Sequence, residues 1–353
     1  MNDATLIIAM LCAVLAGSVL ARALPAIPAP LIQIALGVAL GAFTPFELQL
    51  NPHIFFLLLV APLLFVDGWH LPKDALFQYR NVIIGLALGL VFLTVAVMGP
   101  VIAWLVPGIP LPVAFALAAA LAPTDPLAIG AISRRLNVPP ALLHVLEGEG
   151  LLNDASALVC LRFAIAVALG GAFDPVALAP DFLIMALGGA GIGVATTWGF
   201  HQLNTQFARR LGEDSSADIL LSVLVPFIAY LAAEAVHASG VLAAASAGIA
   251  MMIEAPRTVS SGTRLRREAV WTMVQTTLNG FVFVLLGQQL LGIGGRALAA
   301  ASGWVGLAVW IVAISAALLL LRFGWNIIWL RLTLFRKRQA LREVGGYPIS
   351  AWP

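Results

Sequence analysis

The chain has 353 residues, of which 61% are hydrophobic and 10% charged, with a formal net charge of +2. Soluble domains carry about 25% charged residues, so this composition excludes a water-soluble fold and points to an integral membrane protein. Nothing in the charge balance suggests a nucleic-acid partner, because the basic residues fall in short stretches between apolar runs.

Hydrocarbon is crossed by helices of about 20 apolar residues, and eleven such runs follow one another. They are Ala4–Leu20, Ala29–Phe43, His53–Trp69, Val82–Val106, Val113–Ser133, Leu142–Leu169, Phe182–His201, Ile219–Val236, Gly240–Ile253, Val270–Leu291 and Trp304–Leu330. The opening MNDATLIIAM lacks a basic n-region, so the first run reads as a span and not as a cleaved leader. No polar stretch is long enough for a separate soluble domain, and residues 1–353 read as one transmembrane domain.

The basic residues orient these spans. With the N-terminus outside, inside loops carry Arg22, Lys73, Arg80, Arg134, Arg135, Arg209, Arg210, Arg257, Arg264, Arg266, Arg267, Arg331, Arg336, Lys337, Arg338 and Arg342. Outside loops carry only Arg296, while Arg162 and Arg322 lie within spans. This asymmetry obeys the positive-inside rule and supports an N-out, C-in chain, expected in the plasma (inner) membrane. Trp69, Trp104, Trp198, Trp304 and Trp329 fall near span ends and read as interfacial anchors. The run Gly188–Gly193 has the outline of a dinucleotide loop but lies inside an apolar span, which favours close helix packing. Cys12 and Cys160 lie far apart in apolar runs and read as packed free thiols.

Polar groups are costly in hydrocarbon and mark function by default. Eight ionisable residues fall within or at the edge of the spans: Asp67, Asp125, Glu147, Glu149, Asp154, Arg162, Glu234 and Arg322. Six are acidic, which suits a cation pathway. In Ala122-Pro123-Thr124-Asp125-Pro126 the two prolines remove backbone donors and should break the fifth span. Freed backbone at that depth is tolerated where it lines a cavity and can hold an ion. The bland alternative is a proline kink capped by Asp125.

Further on, Glu149 and Asn153 are four apart and share a helix face, with Asp154 about 100° further round. A carboxylate in a partly dry cavity can take either a proton or a metal cation. One site that takes one or the other is the minimum machinery for exchange; the bland alternative is an ion-pair network that glues helices. Arg322 needs a mid-span partner, for which Glu149 is a candidate. Arg162, eight residues past Asp154, can pair with it or with another acid. Glu234 reads as a satisfied structural residue.

These residues resemble the electroneutral sodium/proton antiporters of the monovalent cation:proton antiporter-1 family. Thr124-Asp125-Pro126 is similar to that family's unwound-helix motif, and Glu149 with Asn153-Asp154 to its next helix. Pro62–Trp69 resembles its third span. The stretch from Pro226 through Tyr230, Ala233-Glu234 and Ser239–Ala243 resembles its eighth and ninth. Asn279–Phe283 with Leu286-Gly287 resembles its tenth, and Arg322-Phe323 with Trp325 its eleventh.

The resemblance implies an all-α antiporter fold with inverted repeats and broken helices, thirteen spans in all, in which a core domain moves against a dimer domain. It implies exchange of Na⁺, with Li⁺ or K⁺ as further candidates, for H⁺ by alternating access. Such a protein serves pH homeostasis, has no resident cofactor and forms a homodimer. Asp154 would carry the transported Na⁺ or the proton, and Thr124 would help coordinate the ion. Asp125 and Asn153 would stabilise the broken helices, and Glu149 would pair with Arg322. The Asn-Asp pair implies one titrating carboxylate and one-for-one exchange.

Two departures from the pattern stand out. Gly150 stands where many relatives place a serine. The family's second broken helix and last span do not occur before Pro353, which leaves eleven spans of thirteen. A non-transporting or regulatory member of the family is therefore the main rival. A passive channel and an intramembrane aspartyl protease using Asp125 and Asp154 are the others; the residues flanking those acids suit an ion site better than an enzyme.

Overall fold

The computed structural model describes residues 3–43, 51–71, 73–123, 140–170, 175–212, 215–254, 261–301 and 303–343. The described residues form eleven helices and no strand. They are α1 (Asp3–Ala23), α2 (Ala29–Phe43), α3 (Pro52–His70), α4 (Lys73–Leu105), α5 (Leu111–Leu121), α6 (Pro140–Ala168), α7 (Pro175–Leu211), α8 (Ser215–Ala235), α9 (Gly240–Glu254), α10 (Ser261–Ala300) and α11 (Trp304–Glu343). Eight are long and apolar enough to cross a membrane; α2, α5 and the Gly240–Ile253 part of α9 are shorter apolar helices. Apolar residues surround most of these helices, the pattern of segments buried in protein or lipid.

Several helices run past the apolar runs read from the sequence. Helix α4 already begins at Lys73, and α10 and α11 each have 40 residues. At 1.5 Å per residue such a helix is about 60 Å long, roughly twice the hydrocarbon thickness. Polar termini keep helical hydrogen bonds while standing clear of the lipid, so hydropathy alone stops short of the true ends.

Three packed groups organise the molecule. Helices α1, α2 and α10 share a cluster built on Leu6, Met10, Val14, Phe281 and Val284. Helices α3, α8 and α9, with parts of α7 and α10, enclose Phe65, Val225, Ala229, Tyr230, Ala243 and Trp271. Helices α4, α5 and α6 meet at Val91, Ala119, Ala157 and Cys160, and α11 joins α4 and α5 around Met98, Ile102 and Ala118.

Small residues set the tightest crossings. A Cβ on Gly37 of α2 would lie 2.1 Å from the Val284 carbonyl oxygen, and one on Gly287 of α10 would lie 2.1 Å from that of Ile34. Across α3 and α9, a Cβ on Gly248 would lie 2.0 Å from the Phe65 carbonyl oxygen. Gly189 and Gly193 face α9 in the same manner, at 2.4 Å from the oxygen of Ser239 and 2.0 Å from that of Ala243. The glycine run of α7 therefore serves helix packing, the arrangement small residues permit in membranes.

Two tryptophans depart from the interfacial role expected of them. Trp329 of α11 stacks with Trp325, ring centroids 5.9 Å apart, and the two indoles fill the space over Gly85 and Gly89 of α4. Trp69 packs inward against Trp271. Trp104 and Trp304 do face outward, being 82% and 76% exposed.

Candidate functional site

Helix α6 carries four of the eight ionisable residues singled out in the sequence, Glu147, Glu149, Asp154 and Arg162. Its middle is Glu149-Gly150-Leu151-Leu152-Asn153-Asp154, and Glu149 and Asn153 point into the protein, 4% and 0% exposed. Asp154 is half-buried. Gly148 lets α6 approach α4 closely; a Cβ there would lie 2.9 Å from the Ile83 side chain. Ser156 donates to the Asn153 carbonyl at 3.0 Å, within the helix.

Glu149 meets Arg322 of α11. The guanidinium Nη2 donates to the Glu149 carboxylate at 2.6 Å, a charge-assisted bond between helices 173 residues apart in sequence. Asp67 of α3 accepts from the Gln275 amide of α10 at 2.9 Å. Helix α5 ends at Leu121, two residues ahead of Pro123; Thr124 and Asp125 lie outside the described residues. So does the Glu147 side chain.

Arg162, whose partner the sequence leaves open, reaches across to α8. It donates through Nη1 to the Glu234 carboxylate and through Nη2 to the Tyr230 hydroxyl at 3.0 Å. The guanidinium also lies 5.1 Å from the centre of the Phe56 ring, in cation–π range. Phe56 opens a single π turn, Phe56–Val60, directly before Pro62. The wider turn accommodates a proline that lacks an N–H and crowds the carbonyl four residues back.

Glu234 is held in place by the chain itself. Helix α8 ends through His237, whose φ of 58° is the left-handed conformation that closes helices. The chain then re-enters helix at Gly240, whose N–H donates to Glu234 Oε1 at 3.3 Å. A Cβ on Gly240 would lie 2.7 Å from the Tyr230 ring and 3.0 Å from Glu234 Oε1, so only glycine leaves room here.

A further buried polar group was not legible as such. Arg267, assigned to an inside loop, lies within α10 and is 2% exposed. Its Nη1 is 3.5 Å from an oxygen of Asp218 on α8, and its guanidinium lies 5.3 Å from the Trp69 ring. Asn204 of α7 donates to the other Asp218 oxygen at 2.7 Å, and the Trp271 indole donates to Ser222 at 3.3 Å. Thr263, Arg267 and Trp271 are all buried, and their four-residue spacing is one helix face, the one sequence signal that this segment continues inward. Among the described residues no three His, Cys, Asp or Glu side chains converge as a metal site.

An all-helical body with paired charges inside apolar helices is a multi-pass membrane protein. The chain belongs to the sodium/hydrogen exchanger (transmembrane) family, whose model matches residues 7–348. It is 41% identical over 329 residues to a sodium, potassium, lithium and rubidium/H⁺ antiporter of Bacillus pumilus, covering 92% of this chain and 49% of that protein. The same named antiporter of Bacillus subtilis is 40% identical over 350 residues, covering 97% and 52%. The chain thus spans about half the length of these curated relatives. Its fold resembles that of the sodium proton antiporter MjNhaP1 from Methanocaldococcus jannaschii, with a TM-score of 0.65, 20% identity, and coverage of 85% of this chain and 77% of that one.

Proposed function

We propose that this chain exchanges Na⁺ for H⁺ by alternating access, one for one and without net charge movement. K⁺ and Li⁺ are further cargo candidates, in keeping with the cations named for the Bacillus relatives. The observation that carries this reading is the placement of Asp154. It sits half-buried beside the fully buried Asn153, one turn past a Glu149 whose charge Arg322 already matches. Glu149 is thereby a fixed part of the scaffold, and Asp154, in the Asn-Asp pair that resembles the family's ion-site motif, is the cargo carboxylate.

In this cycle Asp154 releases a proton to one side, binds Na⁺ with help from Asn153, Thr124 and Asp125, moves with α6, and releases Na⁺ as a proton returns. Asp67, bonded to Gln275, and Arg162, bonded to Glu234 and Tyr230, act in this cycle through the helices they join. The grouping of α4, α5, α6 and α11 apart from the remaining helices supplies two bodies that can shift relative to each other. The chain acts as one domain in the plasma membrane, N-terminus outside and C-terminus inside, as a homodimer with Na⁺ and H⁺ as cargo and no resident cofactor. Vesicles containing the purified chain should acidify or alkalinise in response to an imposed Na⁺ gradient, and Asp154→Asn should abolish the response. Exchange retained in that variant would refute the mechanism.

A further inference from the structure

Two salt bridges leave α6, and they differ in what they join. Glu149–Arg322 links α6 to α11, which packs on α4 and α5, so both partners belong to the same packed group. Arg162–Glu234 links α6 to α8, which belongs to the group built on α3, α8 and α9. Helix α6 packs densely on α4 and α5 and only thinly on α3, α8 and α9. Across that thin seam, the long Arg162 side chain makes every polar contact described between α6 and α8.

On the far side, Glu234 and Tyr230 are fixed in their own group. Tyr230 is fully buried, Glu234 accepts the Gly240 N–H at the start of α9, and a side chain on Gly240 would displace both. Phe56, on the π turn of α3, closes the guanidinium from a third side. The fixed half is therefore a preformed socket, and Arg162 is the plug. The carboxylates of the two bridges differ in exposure: the arginines are alike at 24% for Arg162 and 26% for Arg322, but the Glu234 side chain is 26% exposed and that of Glu149 is 5% exposed. Water can replace the partners of a half-wet pair at modest cost, and cannot do so for a dry carboxylate.

Along α6, Arg162 stands eight residues past Asp154, about 12 Å up the helix axis. The plug therefore closes the seam on one side of the cargo carboxylate and leaves the other side to different contacts. We propose that Arg162, with Glu234 and Tyr230, forms a latch that holds α6 against α3, α8 and α9 in one of the two alternating states, and that opens when Asp154 turns to the other side. This rests on the exchange reading above. With the N-terminus outside, the latched seam is the outer one, and the structure is the inward-facing state. Arg162 is a positioning residue that sets the balance of states and does not touch cargo.

The test measures the seam directly. Cys12 and Cys160 are replaced by alanine, and spin labels are placed at Leu169→Cys and Val236→Cys, the exposed ends of α6 and of the α8 turn. Distance distributions are recorded in vesicles containing the full chain. A short distance should dominate with the latch intact. Glu234→Gln should lower that population by about threefold or more, and the reversed pair Arg162→Glu/Glu234→Arg should recover part of it.

Tyr230→Phe, which removes one hydrogen bond and keeps the ring, should shift the distribution the same way by less, and it decides the matter if Glu234→Gln does not fold. An unchanged distribution in folded variants, or a loss that the reversed pair does not recover, overturns the latch. Na⁺-driven exchange is followed in the same vesicles. Its absence from the unsubstituted chain overturns the exchange reading, while the distances still judge the latch.

Discussion

Replacing Arg322 by glutamine would strand the Glu149 carboxylate in an interior where it is 4% exposed. The pair is a single 2.6 Å contact. At an effective dielectric of about 20, two unit charges about 4 Å apart attract by about 4 kcal/mol. Removing one partner of a buried pair costs about 3–5 kcal/mol, because the remaining charge keeps its desolvation penalty. The Arg322 side chain is 26% exposed, so water reaches one end of the pair and the lower figure applies. Arg322→Gln should therefore destabilise the fold by about 3 kcal/mol. Glu149→Gln leaves a partly wetted guanidinium behind and should cost about half that. The double variant removes both charges together and should cost less than the two singles combined, giving a coupling of about 2 kcal/mol. Reversible unfolding of the chain in mixed micelles, titrated with dodecyl sulfate and read by tryptophan fluorescence, gives each value. Additive single variants, or an Arg322→Gln cost below about 0.5 kcal/mol, would refute the view that this bridge is a fixed element of the scaffold.

Two further outcomes follow from the packing. Gly248→Ala should destabilise the chain by about 2 kcal/mol in the same unfolding assay, since the added methyl would meet the Phe65 carbonyl 2.0 Å away and force α3 and α9 apart; a neutral result would mean that this crossing relaxes freely. Asp218→Asn should weaken the fold by about 2–3 kcal/mol, because it leaves Arg267 buried without its matching charge; pairing it with Arg267→Met should restore part of the loss, and no restoration would show that the two residues act independently.

Much of this protein can be read in one dimension. Hydrocarbon demands apolar helices of a minimum length, so the eleven apolar segments and the membrane class follow from composition and run length alone. Polar and charged groups in such a medium are rare, so Glu149, Asn153, Asp154, Arg162 and Arg322 announce themselves without any structure. Helical periodicity places Glu149 and Asn153 on one face, and both do point inward.

What the sequence could not decide is which charge meets which. Arg162 lies near Asp154 along one helix, yet its guanidinium crosses to Glu234 and Tyr230, 72 and 68 residues away. Nothing local encodes that choice, which depends on how α6 and α8 are brought together in the packed fold. Arg267 shows the same limit. Positioned beyond an apolar run it has the appearance of a loop residue, and only the inward face it shares with Trp271, together with Asp218 on another helix, makes it part of the interior. Hydropathy fixes how much of the chain enters the membrane because transfer free energy is a property of each residue. Pairing is a property of the packed whole, and the tertiary structure alone decides which of the two α6 bridges lies inside one packed group and which spans the seam between two.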